Sequence, residues 1–351
     1  MLDRRTRLLR RLFRIAGLLV VRLLTRTTIT GRDYLQTEGP VIFAGNHMST
    51  FDALLLLVLM PPDAVLVGPG DFRLLWPANL VVHHLGLILM KRGAVDREGL
   101  KRMVDALKAG GRLGIFPDGG TWEKPINDVK SGATYLSLMS GARIVPMAYG
   151  GTYRVWTRML RLQFPRITVT IGAPLPPVTV SGDRKRRQDE LQAAAVDIMY
   201  KIYDLLPPDI QARYDRLARE RYAGSLEVRP AGAVPPLPPD VPLDALAELV
   251  IKPNLFSPLY HNARLPVRPL VRHGRFFPAR RMKTAIDALH AAFAEGDFSS
   301  YLEYRLGDAK AAEIRSALVA ISAALDSVDG RARVAFVPTV TEEEPSLAGD
   351  D

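Results

Sequence analysis

His47 and Asp52 stand five positions apart in the stretch Gly45-Asn46-His47-Met48-Ser49-Thr50-Phe51-Asp52. A histidine can take a proton from a hydroxyl near neutral pH, and a carboxylate beside it fixes the tautomer and stabilises the imidazolium that forms. On a regular helix this spacing would splay the two side chains, because helical partners stand three or four residues apart. The pair works only if His47 lies on a turn and Asp52 on the first turn of a helix, with Ser49 or Thr50 as the N-cap. A histidine merely satisfied by a neighbouring carboxylate in a loop is the alternative that the dyad alone leaves open.

The flanking residues supply the required elements. Pro40 to Ala44 is apolar and reads as a strand, and Ala53 to Met60 reads as a helix apolar on all sides, stopped by Pro61-Pro62. A short strand and turn are expected at Thr28 to Tyr34, and further strands at Ala64 to Gly68, Leu87 to Met90, Leu113 to Phe116 and Arg143 to Ala148. Helices are expected at Asp96 to Ala109, Ser131 to Ser140 and Gln188 to Leu206. Strands alternating with helices predict an α/β domain with a mainly parallel sheet flanked by helices. In such sheets ligands sit beyond the carboxyl ends of the strands, where His47, Arg92 and the Pro117-Asp118-Gly119-Gly120 loop should gather.

Composition narrows the chemistry. The chain has no cysteine, which excludes disulfides, thiolate catalysis and cysteine-held metals. There is no G-x-S-x-G elbow. The net charge of +10 favours an anionic partner. Arg4, Arg5, Arg7, Arg10, Arg11, Arg14, Arg22 and Arg26 crowd the N-terminus, with Leu9, Leu12, Ala16, Leu19, Val20 and Leu23 opposite many of them. This pattern predicts a basic amphipathic helix lying in an anionic membrane interface, or else packed on its own domain. Its longest uncharged run, Ile15 to Val21, falls well short of the roughly 20 residues needed to span a bilayer. Arg10-Arg11-Leu12-Phe13 faintly resembles a twin-arginine export signal, but Arg22 and Arg26 follow and no A-x-A site is present. Peripheral attachment to the cytoplasmic face of the cell membrane is the expectation.

Five segments are expected: a membrane-interface helix (1–27), a catalytic domain (28–222), a Pro-rich linker (223–242), a small helical domain of unknown role (243–330) and an acidic disordered tail (331–351). Basic residues recur from Arg264 to Arg281 with Phe276-Phe277 as the sole Phe, Tyr or Trp among them, not an interleaving suited to base stacking, so nucleic acid is not expected as a partner.

In chain order, the sequence carries Asn46-His47-x4-Asp52, then Gly86 to Arg92, then Phe116-Pro117-Asp118-Gly119, then Val145-Pro146. These four ordered motifs resemble the glycerolipid acyltransferase family over about residues 28 to 222. So do Lys130-x-Gly132-Ala133 and Leu205-Leu206-Pro207-Pro208. The resemblance implies a glycerol-3-phosphate acyltransferase-like α/β fold. It also implies transfer of a fatty acyl group from acyl-CoA or acyl carrier protein to a hydroxyl of a lysophospholipid, with no resident cofactor. His47 would be the base and Asp52 its orienting carboxylate. Arg92, helped by Lys91, would bind the acceptor phosphate; Asn46, Asp118, Gly119 and Gly120 would belong to the substrate site, the glycines by letting N–H groups approach a phosphate or an oxyanion. The third motif departs from the family's Phe-Pro-Glu-Gly-Thr-Arg, having Asp118 for the glutamate and Gly120-Thr121-Trp122 in place of a segment with arginine. A lipid hydrolase using the same dyad on water, and a membrane-binding protein without catalysis, are the rivals.

Overall fold

A computed structural model describes residues 4–70, 84–90, 96–121, 124–230, 234–252, 265–294, 297–326, 328 and 331–343. The chain divides between Ala218 and Arg219 into two compact units.

In the first unit, helix α1 (Arg4–Leu24) leads into strand β1 (Arg26–Thr30) and a short 3₁₀ turn (Arg32–Gln36). Then follow β2 (Val41–Gly45), α2 (Thr50–Leu59), β3 (Val65–Pro69), β4 (Ile88–Met90), α3 (Arg97–Lys108), β5 (Arg112–Ile115), α4 (Gly132–Ser140) and β6 (Arg143–Gly150). The unit closes with α5 (Val155–Leu160), β7 (Arg166–Ile171), α6 (Arg184–Tyr203) and α7 (Pro208–Arg219). The seven strands form one sheet in the order β1-β7-β6-β2-β5-β3-β4. The five strands from β6 to β4 run parallel, as the alternation of strands and helices predicts. At the far edge β7 pairs antiparallel to β6, and β1 pairs parallel to β7.

Strand β2 is buried at every position because both faces of the sheet are covered. Val41 and Phe43 point into a core shared with α2 and Val21 of α1, while Ile42 and Ala44 point into a second core with α3, α4 and α6. Helix α2 is apolar all round because it lies between the sheet and α1. Gly17 permits that contact: a Cβ there would meet Val58 Cγ1 at 2.5 Å.

Helix α1 is thus part of the first unit, which corrects its expected separation as a 1–27 anchor. Its arginines also divide. Arg10 is buried, and its guanidinium donates to the carbonyls of Leu85 (2.6 Å), Pro62 (3.3 Å), Gly86 (3.2 Å) and Ala64. Arg14 donates to Val58 O at 2.9 Å. Arg4, Arg7, Arg11 and Arg22 remain exposed on the far side, beside an outward stripe of Leu8, Leu12, Ile15, Leu19 and Leu23. No helix among the described residues is long and apolar enough to cross a membrane.

The second unit corrects two expectations. Residues 223–229, read as linker, belong to β8 (Glu220–Arg229), and the tail read as disordered contains β10 (Arg333–Glu342). The two pair antiparallel along their whole length, with a short β9 (Phe277–Pro278) on the other edge of β10. The prolines that signalled a linker begin only at Pro230. Before them Tyr222, Gly224, Leu226 and Val228 alternate with more exposed residues, the period of a half-buried strand. Val334, Ala335 and Phe336 bury β10, and the acidic run starts only at its end. Helices α8 (Leu243–Ile251), α9 (Arg268–Val271), α10 (Ala279–Ala294), α11 (Asp297–Leu306) and α12 (Asp308–Asp326) make up the helical part that the sequence predicts.

Candidate active site

Three adjacent parallel strands, β6, β2 and β5, end side by side and deliver the site. Strand β2 releases the chain at Gly45, and the turn through Asn46 and His47 enters α2 with Ser49 as N-cap. Ser49 Oγ accepts from the Phe51 N–H at 3.2 Å, and Asp52 accepts in return from the Ser49 N–H at 2.7 Å. This reciprocal cap fixes the carboxylate on the first helical turn.

Asp52 Oδ2 also accepts from the Met48 N–H at 2.7 Å and faces His47 Nδ1 at 3.3 Å. The carboxylate is fully buried, whereas the His47 side chain is 12% exposed. An ionised carboxylate only accepts, so Nδ1 carries the ring proton and Nε2 keeps its lone pair for a substrate. Asp52 Oδ1 is buried with no hydrogen-bond donor among the described residues, so the carboxylate's anchored oxygen is the one turned to the loop and the ring. The imidazole stacks on Phe116 at the end of β5, with ring centroids 4.0 Å apart and planes 14° apart. Cap, carboxylate and aromatic plate together hold one ring orientation.

Asp118 has a different place from the one expected. It is buried, and its Oδ2 accepts the backbone N–H of His47 at 2.7 Å. It therefore clamps the base loop to the β5 loop and acts through His47 as a positioning residue. Asn46 likewise faces inward: its Nδ2 donates to Tyr149 O at 3.1 Å and its Oδ1 accepts from Tyr149 N at 2.7 Å. With its side chain wholly buried, Asn46 ties β2 to β6. Gly119 has φ +71, a conformation that favours glycine, and its N–H closes the turn onto Phe116 O at 3.0 Å. That bond holds the loop's own turn, and Gly120 follows, half-buried. Lys91 and Arg92 lie outside the described residues.

Two contributors escaped the sequence reading. Lys124 is buried, donates to Asp128 at 2.9 Å and places positive charge near Asp118. Tyr214, on α7, is buried against the Asn46 side chain, and burial pushes its phenol well above the usual value. Neither carries a motif, but the apolar spacing Ile210, Tyr214, Leu217 marks the inward face of α7 and was the available signal.

Burial raises the Asp118 carboxyl to about 6, against the opposing pull of Lys124 and His47. Between the ordinary carboxyl value of 3.8 and about 6, the native state holds a proton that the unfolded chain has released. This contribution to stability is full below the unfolded value and is lost as pH rises through 6. Keeping the ionised form buried at neutral pH costs about 3 kcal/mol. Asp118→Asn should therefore gain stability relative to the wild type as pH rises. Denaturant midpoints of the two proteins should diverge from about pH 3.8 to about pH 6. Parallel midpoints would refute a buried, titrating Asp118.

A family model described as Acyltransferase matches residues 26–150. A 1-acyl-sn-glycerol-3-phosphate acyltransferase of Borreliella burgdorferi is 26% identical over 128 residues, 35% of this chain and 51% of that protein. The chain thus spans about half the length of this relative. Among solved structures, the 1-acyl-sn-glycerophosphate acyltransferase PlsC of Thermotoga maritima matches with a TM-score of 0.41 and 18% identity, over 58% of this chain and 84% of that one. The segment that is similar to the Acyltransferase family model begins at β1, ends with β6 and encloses His47, Asp52 and Asp118.

Proposed function

We propose that this chain transfers a fatty acyl group from a thioester, acyl-CoA or acyl carrier protein, to a free hydroxyl of a lysophospholipid such as 1-acyl-glycerol-3-phosphate. The observation that carries this reading is His47, with Nδ1 against a buried Asp52 and Nε2 left for a substrate, inside a segment similar to the Acyltransferase family model. A thioester is already activated, so the protein has chiefly to raise the nucleophilicity of the alcohol and hold two substrates together. The acceptor hydroxyl gives its proton to Nε2 while its oxygen attacks the thioester carbonyl. Collapse of the tetrahedral intermediate breaks the C–S bond, and the departing thiolate takes the proton back from the imidazolium. The products are an ester and a free thiol, with no covalent acyl-enzyme.

Helix α1 supports a membrane setting for this reaction. Its outward leucines lie beside exposed Arg4, Arg7, Arg11 and Arg22, an arrangement suited to an anionic cytoplasmic leaflet with guanidinium groups at headgroup level.

The test is incubation of the full chain with labelled acyl-CoA or acyl carrier protein and a panel of lyso-lipids, with products identified by mass. A new diacyl lipid and one free thiol per acyl group transferred are expected. Free fatty acid released at the same rate without acceptor would establish a hydrolase instead.

A further inference from the structure

Among the described residues outside α1, exposed large apolar side chains concentrate in one other short stretch, Trp156, Leu160, Leu162 and Phe164, at 43, 86, 64 and 43% exposure. They belong to α5 and the loop that follows it into β7. Exposed Arg154, Arg158 and Arg161 alternate with them. The backbone here is costly: Arg154, Leu162 and Phe164 have φ of 52, 53 and 44°, a region that side chains with a Cβ seldom adopt. Leu160 and Leu162, the most exposed of the four, gain little from the fold itself on such a backbone, and strain of this kind concentrates where a segment meets a ligand.

The segment is fixed at both ends to elements already described. Trp156 Nε1 donates to Thr50 Oγ1 at 2.8 Å, and its ring meets Phe51 edge-on at 5.2 Å, on the first turn of the helix that carries Asp52. At the other end Pro165 O accepts from the Arg26 N–H at 2.9 Å, where α1 has just passed into β1. The loop therefore bridges the C-terminal end of α1 and the catalytic helix.

We infer that the α5–β7 segment is a second membrane contact, in which Leu160, Leu162 and Phe164 enter the interface of an anionic phospholipid bilayer while Arg158 and Arg161 meet its headgroups. The choice of lipid as partner rests on the reading of α1 above. Apolar tips interleaved with arginine match a surface that is oily at depth and negative at its face. A protein groove would complement the leucines but not this alternation of charge. Contact through α1 alone leaves the domain free to roll about the helix. A second contact, tied to α2 through Trp156, fixes the side of the His47 site that is next to the lipid.

The experiment is co-sedimentation of the full chain with sucrose-loaded vesicles of phosphatidylcholine, with and without phosphatidylglycerol. The variants are Leu160→Asp/Leu162→Asp, Arg158→Glu/Arg161→Glu and, as a control on the second unit, exposed Val319→Asp. The leucine pair should lower partitioning by about tenfold on either vesicle. The arginine pair should lower it only where phosphatidylglycerol is present, by about tenfold at low salt. Thermal unfolding should be unchanged for both, since these side chains are exposed. Undiminished partitioning of the leucine variant, or an equal loss in Val319→Asp, overturns the inference. So does a lipid-free wild type that self-associates through this face and a leucine variant that does not, if their partitioning is equal. His47→Ala should partition as the wild type does. A chain that binds through the loop yet transfers no acyl group defeats the chemical reading alone; one that transfers but binds regardless of the loop defeats this inference alone.

Discussion

His47→Ala should reduce acyl transfer to the uncatalysed level while leaving the fold intact, because the ring sits on a turn, stacked on Phe116 and facing Asp52, outside both hydrophobic cores. Asp52→Asn should cut turnover by about 10³- to 10⁴-fold, the scale set by loss of the orienting carboxylate in a histidine-based triad. The geometry shows why neither amide orientation works. With its oxygen toward the loop, asparagine still accepts from Met48 and Ser49, but it buries an NH₂ where Oδ1 has no partner and removes the charge that stabilises the imidazolium. With its NH₂ toward the ring, it forces the proton to Nε2 and abolishes the base. Acceptor-dependent thiol release, followed with thermal unfolding of each variant, separates chemistry from folding. Near-normal turnover in His47→Ala would remove this mechanism.

The pairing of His47 with Asp52 was legible because its requirements are local. A strand, a turn and a capped helix start are written in consecutive residues, and the five-residue spacing fits only that sequence of elements. The parallel body of the sheet was legible for the same reason, since each β–α unit carries its own signal. Its edge was not. Strand β7 is the alternating run Arg166 to Ile171 that follows the arginine-broken α5, and its antiparallel pairing with β6 depends on contacts that no local pattern reveals.

Roles within the site were harder to read than membership of it. Asn46 and Asp118 were found by motif, yet both turn inward and hold backbone, Asn46 on Tyr149 and Asp118 on His47. A motif marks which residues must be present. It does not distinguish a side chain that touches substrate from one that fixes the side chain that does. Asp118 illustrates the cost of the second task. It keeps the base loop in register at the expense of a buried carboxylate that is destabilising at neutral pH.

The N-terminal arginines pose the same problem in a sharper form, because Arg10 belongs to the same basic cluster as Arg7 and Arg11 and does the opposite work. Those two face solvent, while Arg10 is 3% exposed and satisfies carbonyls from the segments before β3 and before β4. Burial lowers its pKa only to about 10, so it remains charged at neutral pH inside a cage of carbonyl oxygens. Arg10→Ala should destabilise the first unit by about 3–5 kcal/mol, the scale of removing one partner from a buried charged network, because Leu85, Ala64, Pro62 and Gly86 would lose their donor together. Arg10→Lys should recover part of this, as one ammonium cannot present the guanidinium's fork to several carbonyls at once. Denaturant midpoints measure the loss, and vesicle partitioning of the folded protein supplies the contrast. If Arg10 served the lipid surface, Arg10→Ala would weaken binding and leave the midpoint where it was. Burial of Arg10 predicts the reverse, a lowered midpoint and unchanged partitioning, while the proposed membrane contact through α1 predicts the opposite pair of results for Arg7→Ala and Arg11→Ala.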